Sequence, residues 1–493
     1  MREWLSWWSA TLPRSRPRVR VPSRAFFIVR KQQFLVYERT AVFYGWTGKE
    51  LLFSMDISNI NYDPLVEKYR DLVTAAADTL WEYAEPAFQE YRSCALLKSI
   101  LEKQGFTVSV PSSSLPTAFM AQWGSGKPVI GLLGEYDALP GMSQAADIPS
   151  PSPLDTPGGH GCGHNLLGCG ILAGALFLKD IMEEEKLPGT ILYFGCPAEE
   201  NAAGKAAMIK EGFFKDVDAA FSWHPHYKSG IFNQALANHR VYYTFHGISA
   251  HASQSPHLGR SALDACELMN IGVNYLREHM IDEARIHYAY TDAGGTAPNI
   301  IPARAQVFYA VRAPRSRDAR LLRERVDDIA RGAALMTGTK ADIETACIYD
   351  SILPNPVLDR LVLKYLEKYA PVFTPEERSY AQDFVPFGNL PDAASPIDEI
   401  PDLSPTRKTG ISTDVGNVSQ ILPCSAFMVC CHANGSPLHH WTVTAQGKSS
   451  MAHRGMFAAG KILSSCVLEL LTHPELLTEA KKEFLNAKKD LPV

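Results

Sequence analysis

The 493-residue sequence has no sustained basic stripe, and its formal net charge is only -5. Nucleic-acid binding needs clustered positive charge, so that class of function loses its main support. It also lacks any run of roughly 18 or more uncharged apolar residues, the length a spanning helix requires. The ten cysteines are scattered, without the C-x-x-C pairs of a zinc or redox motif. With no credible secretory signal, that usage points to reduced thiols and a cytoplasmic protein. Acidic residues are scarce in residues 1–55, where Glu3, Glu38 and Glu50 stand against Arg14, Arg16, Arg18, Arg20 and Arg24. A basic, acid-poor leader can be a transit peptide. The segment lacks amphipathic periodicity, however, and a start at Met55 accounts for it better.

What remains is ordinary for a globular chain: 46% hydrophobic and 20% charged residues. The length suggests two or three packed units, and there is no internal repeat. Residues 62–101 carry a helical pattern, with Leu65, Tyr69, Leu72 and Ala76 recurring at spacings of three or four. Strand-like text follows at 106–110, 127–134 and 189–196, with a helix over 166–182. This alternation predicts an α/β domain whose mixed, mainly parallel sheet is flanked by helices. Near Ala237 the texture changes to strand (241–247), helix (261–279), two strands (286–291 and 305–312) and helix (319–337). That order predicts a small α+β sandwich inserted into the larger domain. The expected boundaries are 56–238 and 351–480 for the larger domain, 239–350 for the insertion, and a tail over 481–493. Residues 386–410, rich in Pro, Asp and Ser, read as an irregular loop.

Four short segments carry residues suited to metal chemistry. Residues 158–165 read G-G-H-G-C-G-H-N at the start of a helix. The glycines permit a tight loop, from which Cys162 and His164 can reach one ion. Thiolate with imidazole suits zinc or another divalent transition metal; incidental polar residues in a helix-start turn are the alternative. Residues 196–200, C-P-A-E-E, place Glu199 and Glu200 just after a buried strand. Paired acids more often face solvent at a helix start, but ligands in open α/β sheets gather at the carboxyl ends of strands. His224, in W-H-P, is held extended by the following proline. His439 and His440 follow the apolar run 426–431. Singly, each histidine is ordinary; together, four strand-end loops offering Cys, His or Glu favour a metal cluster. In the insertion stand His251, among small residues, Asn299, and Arg312. The guanidinium can hold a carboxylate bidentately, or form a surface ion pair.

The motifs at 134–141 (G-E-Y-D-A-L-P-G), 159–168 (G-H-G-C-G-H-N-L-L-G), 197–200 (P-A-E-E), 223–225 (W-H-P), 255–265, 294–302 and 412–416 (S-T-D-V-G) form a specific set. With the late L-H-H-W they resemble the aminobenzoyl-glutamate hydrolase branch, in its B-type form, of the aminoacylase–carboxypeptidase family. The resemblance runs from about Tyr62 to about Leu471. It implies a catalytic α/β domain with two divalent ions, manganese or zinc, and an inserted ferredoxin-like lid that mediates dimerisation. It implies Cys162, His164, Glu200, His224 and His439 as metal ligands, with His160 supporting them. Glu199 becomes the general base toward a metal-activated water, and His251 the oxyanion donor, reaching across from a partner subunit. Asn299 and Arg312 would hold the substrate carboxylate. Asn165 stands where many relatives carry aspartate, and His440 where a small polar residue is usual.

The expected activity is hydrolysis of a p-aminobenzoyl-glutamate-type amide in a small N-acyl amino acid. A dipeptidase for β-alanyl or γ-aminobutyryl dipeptides is the rival within the same chemistry. A subunit active only beside a paralogous partner is a third reading; the expected assembly is a homodimer or a heterodimer with a paralogue. A thiol enzyme using Cys162 as nucleophile fits poorly with the surrounding His and Glu residues. No nucleic-acid or membrane partner is expected.

Overall fold

The computed structural model describes residues 60–388 and 410–489. The expectations for 1–55, and for all of the 386–410 loop except residues 386–388 and 410, lie outside the described residues. In chain order the strands are β1 (Thr107–Ser109), β2 (Phe119–Ser125), β3 (Val129–Glu135), β4 (Leu139–Pro140), β5 (Gly158–Gly159), β6 (Gly189–Cys196) and β7 (Ala219–His226). They continue as β8 (Gly230–Ile231), β9 (Ala237–His246), β10 (Arg285–Asp292), β11 (Arg304–Ala313), β12 (Lys340–Tyr349) and β13 (Cys424–Cys430).

Seven strands form one sheet in the order β1-β2-β6-β3-β7-β13-β8. The inner four, β6, β3, β7 and β13, run parallel, and antiparallel pairs close both edges. Strands covered on both faces must be apolar throughout, and β6 (G-T-I-L-Y-F-G-C) is buried at every position. Successive side chains alternate between faces. Ile130, Leu132, Ile191, Tyr193, Phe221 and Trp223 point into one core, which the helices Asp63–Tyr83, His164–Glu184 and Ser450–Thr472 cover. Leu133, Leu192, Phe194 and Met428 point into the other.

The helices His164–Glu184 and Ser450–Thr472 are long and apolar enough to cross a membrane, but most of their residues are buried inside the fold. They are apolar on nearly every side because sheet and helices enclose them. They also pack closely on each other: a Cβ on Gly460 would meet that of Ala173 at 2.9 Å.

The second sheet has the order β10-β11-β9-β12, antiparallel throughout. Helices Ala262–Leu276 and Ser316–Thr337 link β9 to β10 and β11 to β12, giving the β-α-β-β-α-β order of a ferredoxin-like unit. Val241, Tyr243, Val307, Tyr309 and Val311 bury one face of this sheet against Cys266, Met269, Val326 and Ala330 of the two helices.

Three elements differ from expectation. The helical text over 62–101 forms two helices, Asp63–Tyr83 and Tyr91–Lys103, because Ala84 takes a left-handed φ of +44° and Pro86 follows. Strand β2, F-M-A-Q-W-G-S, is an element the sequence does not announce, since its half-exposed burial pattern hides the apolar signal. Most of the expected tail belongs to the helix Pro474–Lys489.

Candidate metal centre

The chemistry collects where the parallel strands end, as open α/β sheets dictate. Gly163 precedes the helix His164–Glu184 with φ +79°, and a Cβ there would lie 2.7 Å from Cγ of Pro225. Only glycine meets both conditions. It turns the chain so that Cys162 and His164 enter the same cavity, and both are buried. Cys162 Sγ lies 3.4 Å from His224 Nε2, which β7 delivers.

Glu199 and Glu200 open a one-turn helix, Glu199–Ala202, flanked by Ala198 at φ +58° and Ala203 at φ +51°. Two left-handed alanines are strained backbone held by their surroundings, a feature that concentrates at functional sites. The turn aims Glu200 at His439, Oε2 to Nε2 at 3.1 Å, and places Oε1 3.9 Å from His164 Nε2. His439 is also left-handed, at φ +58°, and its N–H donates to the Gly161 carbonyl at 2.8 Å.

Among the described residues, potential ligand atoms fall into three groups, the atoms of each within 4.8 Å of one another: Cys162 with His164 and His224, Cys162 with Glu200 and His439, and Glu135 with His164 and Glu199. The first two share the Cys162 sulfur. His164 Nε2 and Glu200 Oε1 are buried with no hydrogen-bond partner, a state proteins rarely leave uncompensated. Burial disfavours charge on His164, yet the Asp137 hydrogen bond and Cys162 outweigh it and raise its pKa well above normal. A field that favours positive charge at the ring equally favours a cation beside it. Burial alone would raise Glu200, but the His439 hydrogen bond and His164 hold it at about 2, fully ionised. Donor set, orphaned atoms and field therefore fit divalent metal ions.

Glu199 behaves differently from its neighbour. Burial, then the charges of Glu135, Asp414 and Glu200, raise its pKa well above the ordinary carboxylate range. Two adjacent acids whose environments push them apart are the pattern of a ligand beside a proton carrier.

Four residues given no role in the sequence complete the site from behind. His164 Nδ1 lies 2.9 Å from Asp137 Oδ1, and Asp137 Oδ2 accepts the Glu200 N–H at 3.0 Å. Glu135 Oε2 lies 3.3 Å from His164 Nε2, and its other oxygen accepts from Lys205 Nζ at 2.5 Å. Lys205, fully buried, donates equally to Asp414. The signal for the first two was two acids spaced by one residue at the end of buried β3.

The two late histidines divide their work. His440 precedes the helix Trp441–Gln446, and its Nδ1 turns to the Thr442 hydroxyl at 2.9 Å, which leaves His439 facing the cluster. His160 supports the loop, with Nε2 3.0 Å from the Leu80 carbonyl and burial holding its pKa at about 3. Asn165 donates to the Ala77 and Gly447 carbonyls, a task a carboxylate could not perform.

His251, Asn299 and Arg312 are not gathered into this cluster. His251 is exposed, and its Nδ1 faces Ser253 and Gln254 of its own loop. The Ala252 N–H donates to the Asn299 carbonyl at 3.0 Å, so these two loops form one exposed edge. Arg312 donates from Nη1 to Gly410 O at 3.1 Å and to Ser412 Oγ at 3.4 Å.

Fold and site together define a metal-dependent hydrolase of the metallopeptidase kind. Comparison with known proteins bears this out: the profile of Peptidase family M20/M25/M40 matches residues 131–443, and the chain belongs to that family. It is 41% identical over 450 residues to the B-type subunit of p-aminobenzoyl-glutamate hydrolase from Escherichia coli (strain K12), covering 85% of this chain and 93% of that protein. It is 28% identical over 433 residues to the Xaa-Arg dipeptidase of Mus musculus, covering 85% and 90%. Its fold matches a dinuclear metal-binding peptidase of Bacillus subtilis with a TM-score of 0.57 and 17% identity, over 83% and 99% of the two chains. An aminobenzoyl-glutamate utilization protein from Klebsiella pneumoniae matches with a TM-score of 0.53 and 17% identity, over 80% and 98%.

Proposed function

We propose that this chain hydrolyses the amide bond of an N-acyl amino acid of the p-aminobenzoyl-glutamate type, with two divalent ions, manganese or zinc. The observation that carries the reading is the pair of ligand triads sharing Cys162, with Glu199 beside them. Cys162, His164 and His224 would hold one ion, and Cys162, Glu200 and His439 the other. The ions supply Lewis acidity, which activates water and polarises the amide carbonyl. Glu199 takes the proton from the attacking water and passes it to the leaving nitrogen, a role its raised pKa suits. Asn299 and Arg312 receive the substrate carboxylate.

His251 stabilises the developing oxyanion from a second copy of the chain or from a paralogue. The reading rests on the exposure of His251 and of Ile248, Leu258 and Ile300 near it in the chain or paired with it. The Escherichia coli relative is itself named as one subunit of its enzyme. Residues 239–350 thereby act as lid and dimerisation domain. All ten cysteines are buried thiols outside any disulfide, which suits a reducing, cytoplasmic setting.

The Xaa-Arg dipeptidase likeness over the same share of the chain favours one second reading, a dipeptidase, with β-alanyl or γ-aminobutyryl dipeptides as its proposed substrates. A mass-spectrometric screen of N-acyl amino acids and dipeptides, with manganese or zinc supplied, separates the two. Turnover of p-aminobenzoyl-glutamate is expected; turnover of dipeptides alone sinks the first reading, and turnover of neither sinks both for the isolated chain.

A further inference from the structure

The face of the second sheet that meets the Glu199–Ala202 turn carries positive charge that no described acid neutralises. The register of β9 with β11 sets Asn238 opposite Arg312 and Arg240 opposite Ala310. Asn238, Arg240 and Arg312 therefore share one side of the sheet, away from the helix-covered core that takes Val241 and Val311. That side abuts the metal-site turn. The Tyr349 hydroxyl donates to the Glu199 carbonyl at 2.9 Å, and Arg240 Nη1 lies 3.4 Å from the carbonyls of Glu200 and Asn201. Arg240 also stands over the Tyr349 ring, 5.0 Å from its centroid.

Three groups on this face lack what they need. Arg312 and Arg240 bond only to neutral oxygens among the described residues, and Arg312 Nε is buried without an acceptor. Asn238 has no exposed surface, and both atoms of its amide are unpartnered. Burial, then the charge of Arg240, pulls the Arg312 pKa down, so the two cations feel each other. Two partly buried like charges beside an unsatisfied amide are costly unless an anion joins them. One carboxylate satisfies one guanidinium in the bidentate mode. Two guanidiniums call for two carboxylates.

We propose that Arg240 and Arg312, with Asn238 opposite Arg312 on the strand of Arg240, form a pocket that reads a dicarboxylate amino acid. Arg312 takes the α-carboxylate and Arg240 the side-chain carboxylate of the residue released by hydrolysis. The enzyme thereby selects an acidic amino acid over a neutral one of similar size. This rests on the amidohydrolase reading above. The competing role for Arg240 is a brace for the Glu200–Asn201 carbonyls, and its 3.4 Å contacts are at the long end for hydrogen bonds.

The test uses the full-length, metal-loaded protein and one acyl group joined to glutamate, glutamine or leucine, with wild type, Arg240→Gln and Arg240→Lys. Wild type is expected to favour the glutamate amide. Arg240→Gln should raise KM for it about 10- to 100-fold, the scale of one charge-assisted hydrogen-bonded pair, with kcat much less affected. Arg240→Lys should recover part of the loss. An equal fall in kcat on all three amides, or no wild-type selectivity for glutamate, overturns the proposal and leaves the hydrolase standing. Cleavage of no amide by wild type overturns the hydrolase reading instead. Calorimetric binding of free glutamate against glutamine then tests the pocket directly: glutamate selectivity that Arg240→Gln abolishes supports it, and equal binding of the two ends it.

Discussion

The carboxylate of Asp137 holds two loops of the candidate metal site at once. One oxygen lies 2.9 Å from His164 Nδ1, and the other accepts the backbone N–H of Glu200 at 3.0 Å. The first contact fixes the orientation of the ring, with Nε2 turned toward Glu135 and Glu200. The second fixes the turn that aims Glu200 at His439. Replacing Asp137 with alanine should therefore weaken metal affinity about 10- to 100-fold, typical of losing a partner that orients a ligand. A chelator-competition titration reads this, and unaltered affinity would exclude the orienting role.

Glu199 and Glu200 are neighbours whose carboxyl pKa values are pushed in opposite directions, Glu199 up and Glu200 down. Glu199→Gln keeps the shape and removes the proton carrier. Turnover should fall about 10²- to 10⁴-fold while metal content by mass spectrometry stays near that of wild type. Retained turnover rejects Glu199 as the essential base. Lost metal would instead make Glu199 a ligand.

Lys205 is a fully buried cation between two carboxylates, 2.5 Å from Glu135 Oε1 and 2.5 Å from Asp414 Oδ1. Burial opposes its charge, but Asp414 and Glu135 outweigh that and raise its pKa. Lys205→Met strands two buried acids and should cost about 3–5 kcal/mol of stability. Urea denaturation of the metal-free protein measures it. A loss below about 1 kcal/mol, the scale of an exposed pair, would contradict the geometry.

Burial keeps neutral two histidines that are not themselves candidate ligands, although His432 also feels the charge of His224. His432, with both ring nitrogens unpartnered, is held at about 3, and His239 at about 4 by burial and then by the charge of Arg323. Unfolded histidine titrates near 6.5, so between these limits the unfolded chain binds more protons than the folded one. Their contribution is fully present above about pH 6.5 and is lost as pH falls toward the folded values, by at most about 1.4 kcal/mol per pH unit for each. His432→Leu should flatten the dependence of stability on pH between about 6.5 and about 4. An unchanged slope would show that His432 is already protonated in the fold.

Local text sufficed wherever the decisive residues were consecutive. The G-H-G-C-G-H-N loop put Cys162 and His164 forward as candidates, and the three other loops bearing His or Glu made a metal cluster the favoured reading of it. Continuous apolar runs announced the parallel strands, and the switch to β-α-β-β-α-β announced the inserted sheet. The choice between His439 and His440 was not local: one side chain turns to Glu200 and the other to Thr442, and only the backbone geometry separates them. Glu135, Asp137 and Asp414 stood inside the quoted motifs without a role, and Lys205 gave no signal at all. Charged residues read as solvated until the fold brings positions as far apart as 135, 205 and 414 within hydrogen-bonding distance.

From sequence alone, then, came the family and the sheet architecture, since both depend on residue type and short spacing, while the candidate ligand set came as what the family resemblance implies. The tertiary structure alone decided that one thiol sits in two triads, that a buried lysine balances the acids behind them, and that two arginines of the second sheet face the metal-site turn. Those are relations between distant segments. Packing and long-range electrostatics set them, and neither is a property of any window of the chain.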